Sequence, residues 1–174
     1  MKLFLNRWFW LGNFLLTAAL IGLSFWLENY KGIQPCPLCM LQRFIFIGLA
    51  ITFLAGSLFT IKYWQIFIGI LTSLFSSIGI IFAGRQVWLQ LLPPANQPAD
   101  CAMSLSSLFK LLPPGKVMSQ IFQGSVECGR VSWDFLNFSL AEWSLMFFLL
   151  FFILSITHTV LISRNFADVS KTID

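Results

Sequence analysis

Four cysteines are the residues on which this sequence can build chemistry. Cys36-Pro37-Leu38-Cys39 sets two thiols three positions apart, close enough to bond to each other or to stand as a reactive dithiol, and a helix start beside such a motif stabilises thiolate. Pro37 suits the first turn of a helix, where its missing N–H costs nothing. Cys39 is then expected near the positive end of that helix dipole. Cys101 and Cys128 enclose the 26 residues from 102 to 127. They admit three readings: a static structural disulfide, half of a four-cysteine zinc site, or a second dithiol/disulfide couple that exchanges with the first. Zinc sites of this kind want two closely spaced pairs, which disfavours the second reading, and no metal is expected.

Arg43 lies four residues beyond Cys39, on the same helical face about one turn deeper. Arginine in a membrane costs roughly 2.5–3.5 kcal/mol at mid-bilayer and less near a helix end. It can snorkel to the surface, or its guanidinium can stabilise a thiolate or hydrogen-bond an acceptor carbonyl. Gln86 is a further donor for a carbonyl, with interface solvation as the plainer role. The single histidine, His158, falls near the cytoplasmic end of the last apolar run, away from the cysteines, where helix packing or placement at the interface is expected of it.

The elements that must position these residues are membrane spans. Hydrophobic residues make up 57% of the 174 and charged residues 10%, against roughly 45–50% and about 25% in soluble domains. Twenty Phe and seven Trp could not be covered by so few charges in water. A span needs roughly 20 apolar residues, and four runs qualify, at about 8–27, 40–59, 63–83 and 143–162. The first follows Lys2 and Arg7, yet it is long for a signal-peptide core and no small-residue cleavage site follows it before Leu27. Trp8, Trp10, Trp26, Tyr63, Trp64 and Trp143 fall near expected span ends, where aromatic rings favour the headgroup level.

The expected fold class is therefore an all-α integral membrane protein, one domain over residues 1–174, with four transmembrane helices and two loops, at 28–39 and 84–142, opposite the termini. All four cysteines lie in those loops. Five basic residues flank the spans on each side, but those on the terminus side (Lys2, Arg7, Lys62, Arg164, Lys171) sit in very short segments. That density favours cytoplasmic termini and loops on the oxidising side, where disulfides persist. The basic residues form no run or stripe, so the net charge of +4 is a topology signal and no nucleic-acid partner is expected. In the long loop, Pro93-Pro94, Pro98 and Pro113-Pro114-Gly115 read as breaks, and the stretch 105–112 suits a short helix on the membrane surface or a packed loop segment.

Taken together, Cys36-Pro-Leu-Cys39 with Gln42-Arg43, the run Arg85-Gln86-Val87-Trp88-Leu89-Gln90-Leu91-Leu92-Pro93, Cys101, Cys128 and Trp133-Asp134 ahead of the last span resemble the bacterial disulfide bond formation protein B (DsbB) family over nearly the whole chain. The resemblance implies a quinone-dependent protein-disulfide oxidoreductase of the bacterial inner membrane, with periplasmic cysteine loops, that reoxidises a DsbA-like thiol oxidase and delivers the electrons to the membrane pool of ubiquinone or menaquinone. A DsbA, DsbB and quinone relay is what keeps the bacterial periplasm oxidising. By the same resemblance, Cys101 forms the mixed disulfide with the partner, Cys128 is its mate and exchanges with Cys36, Cys39 faces the quinone, and Arg43 holds it. Two positions depart from the usual pattern: Gln42 stands where an acidic residue can occur and Gln86 where a histidine often does.

Energetics show why such a relay needs a strong acceptor. A DsbA-type partner has a potential near about −120 mV, whereas structural disulfides lie below about −300 mV, a gap of roughly 180 mV or about 8 kcal/mol against transfer. Two other readings fit less well. Four-helix proteins of the vitamin K epoxide reductase type also join CxxC chemistry to a quinone, but their loop cysteines precede the CxxC. A non-enzymatic four-span scaffold of tetraspanin type, with static loop disulfides, would carry adjacent cysteines and glycine in a larger loop.

Overall fold

A computed structural model describes residues 2–32, 36–59, 61–93, 113–124, 128 and 134–171. Cys101, the stretch 105–112 and Trp133 lie outside the described residues. Four long helices carry the fold: α1 (Lys2–Lys31), α2 (Pro37–Leu58), α3 (Lys62–Leu91) and, after the short α4 (Pro114–Gln123), α5 (Leu140–Lys171). Arg7–Tyr30, Pro37–Leu58, Lys62–Leu91 and Leu140–Arg164 are each long and apolar enough to cross a membrane, as the four apolar runs predict.

The helices outrun those runs. Hydropathy drops at Gly84, yet α3 continues to Leu91, so Arg85 and Gln86 belong to the helix and not to the start of a loop. No helix breaker interrupts Arg85–Leu91, and the helix stops just ahead of Pro93, which disfavours helical backbone before it. At 30 residues and 1.5 Å each, α3 exceeds the roughly 30 Å hydrocarbon core; its last turns form a platform for polar residues. The last helix starts at Leu140, ahead of the expected 143. Ser139 and Glu142 cap it reciprocally: the Ser139 N–H donates to Glu142 Oε2 at 2.6 Å and the Glu142 N–H to Ser139 Oγ at 3.3 Å, a capping box. Ahead of it, β1 (Asp134–Phe135) and β2 (Phe138–Ser139) pair antiparallel around Leu136 and Asn137, whose φ values of 56° and 64° match a two-residue hairpin turn.

Pro113-Pro114-Gly115 likewise opens a helix where a break is expected, because Pro114 occupies the tolerated first position of α4. Val117 and Ile121, four residues apart, turn into the core. The Arg85 Nε donates to the Phe122 carbonyl at 2.9 Å, and Phe82 packs on Phe122 at 5.3 Å, so α4 lies against the protruding end of α3. Gly124 closes the helix at φ +82°, with the Leu89 side chain where a Cβ would stand.

Between the helices, packing relies on aromatic pairs and small residues. Phe46 stacks on Phe148 at 4.2 Å and Phe53 meets Phe151 edge-on at 5.2 Å. Gly79 makes room for the Phe148 ring and Gly56 for Trp10; such residues let helices approach closely in lipid. Ser155 bridges α5 to α3, donating to the Gly69 carbonyl at 2.7 Å and meeting Ser73 Oγ at 3.1 Å. At the end that carries the termini, Trp10 donates to Gln65, and His158 stacks on Phe9 with ring centroids 4.6 Å apart and meets Trp10 edge-on at 4.9 Å. The bundle therefore has a histidine end and a cysteine end, some five helical turns apart along α5.

Candidate functional site

The cysteine end is built on the first turn of α2. Cys36 is its N-cap, with extended backbone (φ −69°, ψ 162°) and a sulfur that accepts the Cys39 N–H at 3.4 Å. Pro37 follows at the first helical position. This is the serine or threonine cap geometry carried out by a thiol, and it brings the Cys36 Sγ to 3.3 Å from the Cys39 Sγ. A disulfide would need about 2.05 Å, so the pair stands as a dithiol.

Cys128 completes a cluster of sulfurs. It is fully buried, Cys36 is 3% exposed, and the two side chains are hydrogen-bonded. That bond, then the bond to Cys39, then burial hold the Cys36 thiol well above the usual thiol range, so Cys36 rests protonated. The structure thus brings together three of the four expected cysteines; Cys101 is the one it does not describe.

Gln86 reaches this cluster from α3. Its Nε2 donates to the Cys39 Sγ at 3.0 Å, and its Oε1 accepts from Gln42 Nε2 at 2.8 Å. Both glutamines are buried, at 3% and 4% exposure. The donor expected for a carbonyl is thus engaged on sulfur through one hydrogen, and the amide nitrogen has a second. Buried Leu38, Leu89, Val117 and Ile121 belong to the same core as Cys36 and Cys128, with Cys39 half-buried at its edge, and hydrogen bonds in such surroundings are stronger than in water.

Arg43 lies one helical turn beyond Cys39 on α2 and is gripped by α1. Its Nη1 pairs with Glu28 Oε2 at 2.6 Å, its Nη2 donates to Ser24 Oγ at 2.9 Å, and its Cζ lies 4.3 Å from the Phe25 ring centroid. The side chain is only 15% exposed. Its Nε is buried and has no hydrogen-bond partner among the described residues.

Sequence reading misses Ser24 and Glu28 and treats Gln42 only as a departure from pattern. A signal for Glu28 exists: it is the only acidic residue before Asp100, and a lone carboxylate is the natural companion of a lone intramembrane arginine.

The family model described as "Disulfide bond formation protein DsbB" matches residues 6–158. The chain belongs to the DsbB family. Its similarity to curated members is spread over the whole fold. It is 35% identical to disulfide bond formation protein B of Marinobacter nauticus over 152 residues, 87% of this chain and 90% of the relative. With the Hahella chejuensis protein of the same name the identity is 37% over 148 residues (83% and 87%), and with that of Acinetobacter baumannii 39% over 143 (78% and 81%). DsbB membership and the four apolar helices make this a multi-pass membrane protein of disulfide bond formation.

Proposed function

We propose that this protein is a thiol:quinone oxidoreductase that reoxidises a periplasmic dithiol protein of DsbA type and passes the electrons to a membrane quinone, ubiquinone or menaquinone. The observation that carries this reading is the cluster of sulfurs of Cys36, Cys39 and Cys128, with an arginine one helical turn further along α2 whose buried Nε has no partner among the described residues. Static disulfides need neither a buried amide aimed at one sulfur nor a third thiol hydrogen-bonded to its neighbour.

The residues fit a quinone. Glu28 and Ser24 each engage one terminal nitrogen of Arg43, and its buried Nε, which has no partner among the described residues, suits a carbonyl oxygen; Gln86 has a second amide hydrogen to add. When bound, a quinone supplies an acceptor for two electrons and two protons. The chain's own part is to offer those electrons from the Cys36–Cys39 dithiol, which leaves a disulfide between the two sulfurs.

Exchange then runs outward. The Cys128 thiolate attacks the Cys36 sulfur of that disulfide; a Cys36–Cys128 bond forms, and Cys39 leaves with the electron pair. Leaving is favoured by a stabilised thiolate, and the Gln86 N–H and the α2 N-terminus stand ready at Cys39 for that charge. The Cys101 thiolate next attacks Cys128, which forms Cys101–Cys128 and releases Cys36 with the electron pair, and Cys36 then takes up a proton. A partner thiolate attacks Cys101, Cys128 leaves, and the partner's second thiol resolves the mixed disulfide. Two electrons and two protons have then moved from the partner to the chain.

Purified full-length protein, reduced DsbA-type protein and either a ubiquinone or a menaquinone analogue provide the direct test. Thiol loss from the partner is expected to match quinone reduction mole for mole, and only when the protein is present. Partner oxidation that does not depend on quinone overturns the proposal. Sidedness is tested in spheroplasts: after reduction, an impermeant thiol reagent added outside is expected to label the cysteines, and labelling confined to the cytoplasmic side rules out a periplasmic relay.

A further inference from the structure

We propose that Gln42 is a positioning residue for the thiol chemistry: it holds the Gln86 amide with its N–H on the Cys39 sulfur, and so sets the thiol–disulfide equilibrium of the Cys36–Cys39 pair. The inference deepens the thiol:quinone reading, on which it rests.

A carboxamide has one donor end and one acceptor end. Turned by a half rotation, Gln86 would aim its carbonyl oxygen at the Cys39 sulfur and repel any charge there. Gln86 cannot choose between the two orientations by itself, since both fit the same space. Gln42 chooses for it: its Nε2 donates to Gln86 Oε1 at 2.8 Å, which leaves Gln86 Nε2 as the end that reaches Cys39 at 3.0 Å. With Gln42 in place, reversal would oppose two NH2 groups on one side and on the other set the Gln86 oxygen against Cys39, where it can accept from a thiol but repels the thiolate. Gln42 lies three residues beyond Cys39 on α2 while Gln86 comes from α3, so the relay spans the helix pair that frames the site.

A donor on Cys39 stabilises the reduced, charged sulfur more than the disulfide, which makes the pair a stronger oxidant. The test uses full-length protein with Cys101→Ala and Cys128→Ala, so that only Cys36 and Cys39 report. The pair is equilibrated with glutathione redox buffers in detergent after quinone is removed. Gln86→Met, nearly isosteric, is expected to shift the equilibrium about tenfold towards the disulfide, which is about 30 mV. Gln42→Met is expected to shift it at least threefold in the same direction, and the double variant to match Gln86→Met within twofold, because Gln42 has nothing left to orient.

A Gln42→Met shift below threefold overturns the proposal, as does one that persists in full on the Gln86→Met background. Should Gln42→Met fail to fold, Gln42→Glu replaces it: a carboxylate accepts only and turns the Gln86 carbonyl to the sulfur, so a shift larger than that of Gln86→Met is expected, and no shift overturns the inference. Because no quinone is present, failure here is separate from failure of the quinone reading.

Discussion

Cys101→Ala and Cys39→Ala are expected to abolish turnover completely and yet to stop the relay at different places. With Cys101→Ala, steady-state oxidation of the dithiol partner should fall at least a thousandfold, to the background rate. Added quinone should still oxidise Cys36 and Cys39, because those sulfurs lie 3.3 Å apart in a core built by α2, α3 and α4 and need nothing from Cys101 to bond. With Cys39→Ala, quinone should oxidise nothing at residue 36, while a Cys101–Cys128 disulfide supplied in advance should still be reduced once by the partner. Single-turnover thiol trapping followed by mass spectrometry separates the two cases. If Cys101→Ala leaves Cys36 and Cys39 reduced under excess quinone, the two-stage relay is wrong.

The resting state of Cys36 gives this experiment a direction. Hydrogen bonds to Cys128 and Cys39, together with burial, keep it a thiol. It is therefore a poor attacking group and a poorer leaving group than Cys39, whose sulfur accepts the Gln86 N–H, so attack by Cys128 on the Cys36–Cys39 bond is expected at Cys36 with Cys39 departing. Trapping during turnover should thus catch a Cys36–Cys128 linkage and no Cys39–Cys128 linkage.

The helices and the CxxC motif are legible in the sequence because they rest on local facts: runs of about 20 apolar residues, and a proline where a helix tolerates one. Helix ends are less so. Hydropathy measures affinity for lipid, and it drops at Gly84 while the helix runs on to Leu91. Ser139-Leu-Ala-Glu142 is a capping box that sequence reading can find, but the apolar run draws attention to Trp143 instead. Pro114 shows the opposite error, since a proline that breaks one helix is also the residue best suited to start another. Contacts across the bundle are hidden for a different reason. The approach of Cys128 to Cys36, or of Gln42 to Gln86, is settled by which helix faces meet. Period and composition carry no information about that.

Arg43 joins both levels, and its replacement carries the second large effect. Reading from Cys39 alone leaves the guanidinium free to snorkel, to stabilise the thiolate or to bond an acceptor carbonyl; the structure has α1 holding two of its nitrogens through Glu28 and Ser24, with Nε unpartnered among the described residues. A hydrogen bond from a charged donor contributes about 1.5–3 kcal/mol, so Arg43→Ala is expected to raise the apparent KM for quinone by roughly ten- to a hundredfold. Arg43→Lys keeps a charge that can pair with Glu28 but loses the planar fork; it should retain part of the activity, with a smaller rise in KM. Mixed-disulfide formation between Cys101 and the partner should stay near normal in both, because that step needs no arginine. The measurement is the steady-state rate with quinone and reduced partner varied independently. Glu28→Gln is the control for the grip of α1: it leaves Nε in place but loosens its hold, so its KM should lie between those of the parent and Arg43→Ala. Should Arg43→Ala weaken only the dependence on partner while quinone saturation is unchanged, the guanidinium serves helix pairing or the thiolate, and the quinone lies elsewhere.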